Sequence, residues 1–502
     1  MNATDLILIN PSAAGHMPRR LGSSFSAIEP PVEAALLASF VRERGFSVKI
    51  IDADAEGLSA ARVAVMVNGS DPLLVGVGAI GPNPSASSTP KMEAARAVLN
   101  TLRDGRSPAR TFLYGIHPSA LPERTLGEES VDFVVRGEPF YTVARLLEIL
   151  KSGGDVAGHK VSGLWHKAGG AVVPGGWGKL VRDPDELPFA AWDLLPMAGY
   201  RAHNWHCFGR LAERTPYAVI YTSFGCPFNC TYCNIHAMYN GKPGIRFRSP
   251  LKVADELDIL VTRYKVKNVK IADELFAIKE GRVIELCDII IGRGYDLNMW
   301  AYARIDTVTG RMLEKMKRAG INWVAYGIES ADEGVRSGVA KGKFVRRDIE
   351  EAVRITHDAG INIIGNFIFG LPDDDPATMR RTLDMAKGLD LEYVNFYATM
   401  AYPGSKLYEE ALKDGSCLPG SWSGYAQMDP GALPLSTRHI PGTEVLRFRD
   451  EAFAEYFSDP RYLGMVEKKF GPETLAHVKE MSAVRVPRHL YPAEASNERI
   501  RR

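Results

Sequence analysis

The first 150 residues alternate between short apolar runs and segments with helical spacing. Leu6 to Asn10 is an apolar run, Ala34 to Arg44 carries its apolar residues on one helical face, and Val48 to Ile51 is β-branched. The alternation continues through residues 73–78, 91–103, 111–115, 131–135 and 141–151. Repeated βαβ units predict an α/β fold, here a Rossmann-like, doubly wound parallel sheet over residues 1–151.

A second alternation begins at Tyr217, after an irregular stretch. Residues 153–178 are rich in glycine around a hairpin-like segment, Val161 to Val173, and Asp183 to Pro196 is irregular, so we interpret residues 152–212 as a linker. Strands are then predicted at about 217–223, 269–275, 298–303, 323–328, 362–369 and 393–399. Helical stretches separate these strands, which predicts a partial (β/α)6 barrel of the TIM type over residues 213–413.

The rest of the chain, residues 414–502, predicts a small and mostly α-helical C-terminal cap. It is polar and rich in proline up to Pro441, reads as helices to about Met481, and ends in a charged tail at 497–502. Within the barrel, Gly320 and Gly360 each close an amphipathic segment directly before a strand. Glycine is the residue best suited to a left-handed helix C-cap, so both boundaries support the predicted register.

Composition and charge exclude several classes of protein. The chain has 502 residues, of which 45% are hydrophobic and 24% charged, and its formal net charge is +1. These values are typical of folded globular proteins and provide no global field that would attract nucleic acid. No apolar run approaches the ~20 residues that span a bilayer, and we expect no signal peptide and no membrane partner. Six cysteines, three of them within eight positions, favour a reducing compartment, so we expect a cytoplasmic protein.

The strongest chemical signal is a cysteine cluster directly after the first predicted barrel strand. Cys226, Cys230 and Cys233 are separated by three and then two residues. Cysteine thiolates hold iron–sulfur cubanes, and three of them leave one of the four irons open to another ligand. A structural zinc ion would need a fourth ligand, for which His236 is the nearest candidate. The isolated cysteines Cys207, Cys287 and Cys417 receive no role.

The cysteine segment resembles the radical S-adenosylmethionine (SAM) enzymes. Their hallmark is CxxxCxxC with an aromatic residue before the last cysteine, which here is Tyr232. The resemblance implies a 4Fe-4S cluster on Cys226, Cys230 and Cys233, whose open iron binds SAM and whose electron releases a 5′-deoxyadenosyl radical. A loop at the carboxyl end of a strand is where parallel barrels build their active sites.

Later strand ends also resemble segments of this family. Asp273-Glu274 and Arg304 end the second and third strands, and Tyr326 to Ser330 resembles the GIES segment, whose acid and neighbours contact SAM. Gly365 to Pro372 resembles the segment that pairs with the adenine edge, and Tyr402 to Ser405 resembles the turn that completes the site. Each charged residue taken alone also fits a solvated strand end. The SAM-binding residues implied are Tyr232, Asp273, Glu274, Arg304, Glu329, Ser330, Asn366, Ile368 and Tyr402.

A doubly wound sheet before such a barrel resembles the cobalamin-binding branch of the family, which includes methyltransferases and the anaerobic magnesium-protoporphyrin ester oxidative cyclase. The likeness rests on residues 114–123, 131–138 and 183–196. No GxGxxG follows the first strand, which weakens the alternative of a nucleotide-binding domain. No histidine lies in a DxHxxG arrangement, so the cobalamin implied is base-off. The cobalamin-binding residues expected are Ser12, Gly76, Gly78, Gly115, His117, Gly137 and Glu138.

The resemblance implies a cobalamin-dependent radical SAM methyltransferase. Such an enzyme moves a methyl group from SAM via methylcobalamin to an unactivated carbon, or to phosphorus, of a small-molecule substrate, here expected to be a secondary metabolite. The alternative is a radical SAM cyclase or oxidoreductase that forms the same radical without methyl transfer, and a third hypothesis is a non-catalytic cofactor carrier. Cluster chemistry also implies a low-potential electron donor, a flavodoxin or a ferredoxin. Tyr302 and Tyr397 fit either substrate orientation or barrel packing.

Overall fold

A computed structural model describes residues 4–12 and 25–491 of the chain. Its strands are β1 Leu6–Asn10, β2 Val48–Asp52, β3 Leu74–Ala79, β4 Arg110–Gly115, β5 Phe133–Val135, β6 Leu164–Ala168, β7 Ala171–Val173, β8 Tyr217–Ile220, β9 Ser223–Phe224, β10 Arg246–Phe247, β11 Asn268–Ile271, β12 Asn298–Ala303, β13 Ile321–Glu329, β14 Asn362–Phe369 and β15 Tyr393–Ala398. Its α-helices are α1 Val32–Arg42, α2 Ala60–Asn68, α3 Pro84–Ser87, α4 Met92–Asp104, α5 Ile116–Ala120, α6 Pro122–Glu128, α7 Phe140–Lys151, α8 Pro250–Tyr264, α9 Glu280–Arg293, α10 Gly310–Arg318, α11 Glu333–Gly338, α12 Arg346–Asp358, α13 Pro376–Gly388, α14 Lys406–Lys413, α15 Gly442–Phe457, α16 Pro460–Phe470 and α17 Pro472–Ala483.

The N-terminal sheet has the order β2-β1-β3-β4-β5-β6-β7. Strands β1 to β5 are parallel, as the alternating pattern predicts, and β1 and β3 are buried along their whole length. The hairpin β6–β7 adds to β5 in antiparallel orientation, with Val134 opposite Trp165. The sheet therefore continues beyond residue 151 into the segment interpreted as a linker, because the hairpin covers the edge that β5 would otherwise leave unpaired.

The second sheet is the partial barrel that the sequence predicts. Its order is β8-β11-β12-β13-β14-β15, and all of its neighbouring strands are parallel. Helices α8, α9, α10, α12 and α13 connect successive strands. Gly320 and Gly360 have φ values of 89° and 74° directly after α10 and α12, which confirms the two predicted helix ends.

Helices α15, α16 and α17 follow the barrel where the sequence predicts helices. Helix α15 attaches to the barrel by hydrogen bonds to backbone oxygens: Arg449 donates to Phe396 and Tyr456 donates to Leu391. The charged tail at 497–502 lies outside the described residues. Within the described part of the chain, no helix combines the length and the hydrophobicity that crossing a membrane requires.

The carboxyl ends of the two parallel sheets face each other across a crevice. Ile116 and Glu138, which follow β4 and β5, line one side, while Tyr221 and Glu274, which follow β8 and β11, line the other. Ligands of open parallel sheets and of parallel barrels both bind at this end of the strands. The fold therefore brings two binding edges onto one space.

Candidate active site

The three clustered cysteines lie on the loop after β9, at the mouth of the barrel. All three are free, half-buried and part of the wall of one cavity. Gly225, with φ of 91°, starts the loop, and a Cβ there would lie 2.4 Å from the Gly244 carbonyl oxygen, so the turn requires glycine. The Gly244 N–H in turn donates to the Cys226 carbonyl oxygen over 2.9 Å.

Three thiols on one cavity wall match the donor set of an iron–sulfur cluster, and in the described part of the chain no fourth side chain converges with them as a zinc site requires. Burial raises the pKa of Cys226 to about 11 and that of Cys233 to about 12, and neighbouring thiols of the cluster add to both shifts. Ligation by iron would keep these thiols deprotonated. His236, the nearest candidate for a fourth zinc ligand, has Nε2 2.7 Å from the Phe228 carbonyl oxygen. Among the described residues, no three His, Cys, Asp or Glu side chains converge as ligands of one ion.

A buried ion pair lies beside the cysteines. Glu329, at the end of β13, has φ of 68°, and its Oε1 accepts from Lys341 Nζ at 2.7 Å and from the Tyr232 hydroxyl at 3.0 Å. Burial lowers the pKa of Lys341, but the negative charge of Glu329 outweighs it, so that this pKa is raised overall. Sequence reasoning missed Lys341 because it follows a short helix, α11, and lies at no strand end. The only signal for it is the Lys341-Gly342-Lys343 string.

Arg304, at the end of β12, also lines the cavity. Its Nε and Nη2 donate to the Asp306 carboxylate, both at 2.9 Å, and Nη2 also donates to the Lys341 carbonyl oxygen. The guanidinium lies 3.7 Å from the centre of the Phe228 ring, within the cysteine loop. Arg304 therefore connects the end of β12 to Lys341 and to the cysteine loop.

Four more predicted SAM-binding residues line the same cavity: Glu274, Asn366, Ile368 and Tyr402. Glu274 accepts from the Gly225 N–H at 3.1 Å and from the Tyr239 hydroxyl at 3.2 Å. Burial raises the pKa of Glu274 to about 7. Asn366 donates to the Tyr326 carbonyl oxygen over 3.1 Å, so its amide is held by the fourth strand.

Asp273 and Ser330 lie outside the cavity, in contrast to the expectation. The Asp273 carboxylate is fully buried and accepts hydrogen bonds from Thr222 and Ser223, each 2.6 Å long. The Ser330 hydroxyl lies 3.2 Å from the Thr382 hydroxyl, on the helix side of the barrel. Both side chains form hydrogen bonds within the protein behind the cavity, so they support the shape of the site and do not line it.

The cavity has a volume of about 250 Å³ and takes walls from the barrel and from the N-terminal domain. The cysteines, Arg304 and Lys341 form its charged end, while Ile368, Met400 and the ring of Tyr397 form an apolar region. A cationic amine and a carboxylate such as those of SAM match the paired charges of Glu329 and Lys341 at the cysteine end. The residues present therefore fit a cluster together with SAM.

The crevice between the sheets is contiguous with this cavity, because Pro84, Ile235 and Glu274 line both. It encloses about 40 Å³, and most of its lining side chains are apolar. A second crevice, also of about 40 Å³, opens from it at the carboxyl ends of β1 and β3, where the strand order of the N-terminal sheet reverses. Open parallel sheets bind their ligands at such a switch point, which makes the two contiguous crevices the candidate cobalamin site.

The predicted cobalamin residues separate into two groups. Gly115 and Gly137 have φ values of 126° and 87°, and the residues after them, Ile116 and Glu138, line the interdomain crevice. Glu138 is held in an ion pair with Arg246 from β10, with Nη1 3.1 Å from Oε2. The turn after β5 thus brings Glu138 to the edge of the crevice that faces the barrel.

Gly76, Gly78, His117 and Ser12 contribute differently from the expectation. A Cβ on Gly76 would lie 2.3 Å from the Phe112 ring and one on Gly78 3.0 Å from the Tyr114 hydroxyl, so both glycines make room for aromatic side chains of the neighbouring strand. His117 is fully buried against the Trp422 ring, with centroids 4.3 Å apart.

Burial lowers the pKa of His117 to about 3, and its Nδ1 lies 3.3 Å from the Thr89 hydroxyl. His117 lines neither of the two crevices between the sheets, so its ring lies away from the expected cobalamin space. The Ser12 hydroxyl donates to Asp54 over 3.2 Å, and Asp54 lines the switch-point crevice. Ser12 thus lies behind that crevice.

Two family models match the chain. The radical SAM superfamily model matches residues 220–386, and the B12 binding domain model matches residues 19–147. The first match contains the cysteine loop and most of the barrel, and the second contains the strands β2 to β5.

Curated relatives extend the similarity over nearly the whole chain. The uncharacterized methyltransferase PH0819 of Pyrococcus horikoshii is 30% identical over 92% of this chain and 94% of its own length. The anaerobic magnesium-protoporphyrin IX monomethyl ester cyclase of Rubrivivax gelatinosus is 26% identical over 78% of this chain and 67% of its own.

Among solved structures, the fold is similar to that of the radical SAM methyltransferase TsrM from Kitasatospora setae, which was solved with cobalamin and a [4Fe-4S] cluster bound. The TM-score is 0.69 at 18% sequence identity, and the match covers 96% of this chain and 100% of that one. At this identity the similarity concerns the fold, including the arrangement of the two sheets.

Proposed function

Because the chain belongs to the radical SAM superfamily, in its cobalamin-dependent branch, we propose that it moves a methyl group from SAM, with cobalamin as the carrier, to a small-molecule substrate. The acceptor is an unactivated carbon or a phosphorus atom. The observation that carries the proposal is the shared wall of Pro84, Ile235 and Glu274 between cavity and crevice. Carrier and radical must reach the same substrate, so their sites must open onto one space.

When bound, the cluster supplies the electron that cleaves SAM, and cobalamin supplies the carrier for the methyl group. Cys226, Cys230 and Cys233 would hold the cluster. Lys341 and Glu329 lie beside the cysteines with opposite charges, so they would bind the carboxylate and the amine of SAM. These assignments follow from position in the cavity.

The walls of the cavity would exclude water from the reacting groups. Ser85 and Ala86 come from α3, which follows β3, and Met400 and Gln427 come from the end of the last barrel strand and the segment after it. An enclosed site protects a radical from quenching. We also propose a role for each domain. Residues 1–151 with the hairpin β6–β7 bind cobalamin, residues 213–413 bind the cluster and SAM, and the C-terminal region covers the substrate.

Reduction of the cluster would require a low-potential flavodoxin or ferredoxin. Pro227 and Asn229, inside the cysteine loop, are exposed and offer a short path to such a donor. The need for a reducing environment is also why a cytoplasmic location stays our prediction. The secondary-metabolite class of the substrate rests on the sequence alone.

The test uses the full chain, reconstituted anaerobically with iron, sulfide and hydroxocobalamin and supplied with methyl-labelled SAM and a strong reductant. Methyl transfer predicts both S-adenosylhomocysteine and 5′-deoxyadenosine as products. Cys230→Ala should abolish 5′-deoxyadenosine, whereas Cys417→Ala, an exposed cysteine outside the loop, should leave it unchanged.

The same measurement separates the alternatives. A cyclase or oxidoreductase would form 5′-deoxyadenosine without S-adenosylhomocysteine. A cofactor carrier would form neither, and either result would contradict methyl transfer. The relative named a methyltransferase matches more of this chain than the one named a cyclase, 92% against 78%, which favours methyl transfer.

A further inference from the structure

Lys91 is a buried lysine in the wall of the switch-point crevice, the space of about 40 Å³ at the carboxyl ends of β1 and β3. Lys91 directly precedes α4, and only 6% of the residue is exposed to solvent. Its Nζ lies 2.5 Å from Asn10 Oδ1. Asn10 is the last residue of β1 and its amide donates to Asp52 over 2.7 Å. The ammonium group is thus oriented by a neutral amide at the strand end.

Lys91 forms no ion pair within the part of the chain that the structure describes, 4–12 and 25–491. An ammonium group has three donors, and one of them is used here. A buried charge is costly unless it is paired and hydrogen-bonded. The charges of Asp52 and Glu33 interact with Lys91 without direct contact, so within the described residues its two remaining donors are free for an anionic ligand in the crevice.

The other charged groups of the crevice are already engaged. Lys270 is paired with Glu29 at 2.9 Å, and Asp54 accepts from the Ser12 hydroxyl. Glu33 accepts from the Tyr221 hydroxyl, and burial raises the pKa of Glu33. Of the two lysines that line the crevice, Lys270 uses two of its three donors, on Glu29 and on the Pro82 carbonyl oxygen, whereas Lys91 uses one.

We propose that Lys91 binds the phosphodiester of the cobalamin nucleotide tail, an inference that rests on the cobalamin function proposed above. In a base-off cobalamin the tail is released from cobalt and must lie elsewhere. The switch-point crevice shares Glu33, Ile80 and Tyr221 with the interdomain crevice, so a tail can pass from one to the other. The phosphodiester is the anionic group of that tail.

The test compares two corrinoids on the full chain, loaded with its cluster but not with cobalamin. Hydroxocobalamin carries the nucleotide tail, whereas aquocyanocobinamide has the same ring and lacks the phosphodiester and base. Visible-spectrum titration measures the Kd of each. Lys91→Met should weaken hydroxocobalamin at least about tenfold and leave cobinamide unchanged, because a charge-assisted hydrogen bond is lost.

Lys91→Arg keeps the charge and should recover most of the affinity. Lys49→Met, at an exposed lysine on β2 whose Nζ donates to Ser70, is the matched control and should change neither Kd. Inorganic phosphate should compete with hydroxocobalamin but not with cobinamide on the wild-type chain. This arm needs no variant and identifies the phosphate group as the ligand.

Equal weakening of both corrinoids by Lys91→Met, or no competition by phosphate, would overturn the role of Lys91 alone. A wild-type chain that binds neither corrinoid would overturn the proposed cobalamin function as well. Tail-specific weakening together with phosphate competition supports the assignment.

Discussion

Asp273 shows how a residue outside the cavity can control the site. Its buried carboxylate accepts three hydrogen bonds from Thr222 and Ser223, which directly precede the cysteine loop. The strand-end position of Asp273 suggested a ligand contact, but position along a strand does not determine which way a side chain points. The same limit explains Ser330, and it explains why Lys341, which lies at no strand end, was missed.

We expect Asp273→Asn to lower both thermal stability and iron retention. The amide keeps one acceptor but loses the charge, and hydrogen bonds to a charged group are worth about 1.5–3 kcal/mol each. Differential scanning fluorimetry and iron analysis after reconstitution check this. Asp384→Asn, on an exposed aspartate of α13, is the control. Unchanged iron content in the Asp273 variant would show that the loop holds its shape without this carboxylate.

The buried pair of Glu329 and Lys341 gives a second prediction at this scale. Lys341→Met leaves a buried carboxylate without its partner, which costs about 3–5 kcal/mol. The double variant Glu329→Gln with Lys341→Met removes both charges and should be more stable than Lys341→Met alone. Tm values of the two variants and the wild type test this. A double variant no more stable than the single one would mean that the pair is not the source of the cost.

At the scale of elements, the cysteine loop lies between two short antiparallel strands, β9 and β10, and β10 connects this part of the barrel to the N-terminal sheet. Arg246 on β10 pairs with Glu138 after β5, and the Val181 N–H donates to the same carboxylate over 2.8 Å. One carboxylate therefore holds the barrel, the connecting segment and the crevice edge together. Glu138 and Arg246 are 108 residues apart in the sequence, so no local sequence pattern indicates that they pair.

Arg246→Met should loosen this junction. The buried Glu138 carboxylate would lose its cation, and we expect a drop in Tm and weaker retention of hydroxocobalamin on gel filtration. Arg354→Met, which removes an exposed pair with Glu351, should have no measurable effect on either. Full cobalamin retention in the Arg246 variant would contradict the coupling of β10 and the crevice.

Glu392, before β15, ties α12 and α16 to the barrel and gives a pH-dependent prediction. Burial alone would raise the pKa of Glu392, but the hydrogen bonds and charges of His357 and Lys469 outweigh it, so that pKa is lowered from 4.5. A depressed folded pKa contributes stability above the unfolded value, and this contribution is lost as the pH falls through the folded pKa.

The Tm difference between wild type and Glu392→Gln should therefore be largest near neutral pH and should shrink as the pH falls below about 4.5. Thermal melts between pH 7 and the acid limit of solubility measure it. A difference that is independent of pH would mean that the carboxylate charge is not what stabilises the junction.

Elements were predicted well where a local pattern determines them. All strands of the barrel and β1 to β5 lie at their predicted positions because buried parallel strands are short apolar runs. The hairpin β6–β7 was recognised as a hairpin but not as part of the sheet, since edge pairing depends on which strand has a free edge. Gly76 and Gly78 were interpreted as cofactor contacts, whereas the aromatic side chains of β4, Phe112 and Tyr114, require the space.

At the scale of the whole molecule, two parallel sheets present their carboxyl ends to each other. Motif order along the chain indicated two cofactor sites, but the shared wall of Pro84, Ile235 and Glu274 depends on how the sheets pack and has no signal in the sequence. The arrangement makes one chain sufficient to hold both cofactors around one substrate.

The measurement that tests this account most directly is the metal content of the anaerobically reconstituted full chain, with its visible spectrum. The account predicts about four irons and about one base-off cobalt per chain, with iron but not cobalt lost in Cys230→Ala. Four irons without cobalt would contradict the account, because the crevice between the sheets would then serve another ligand.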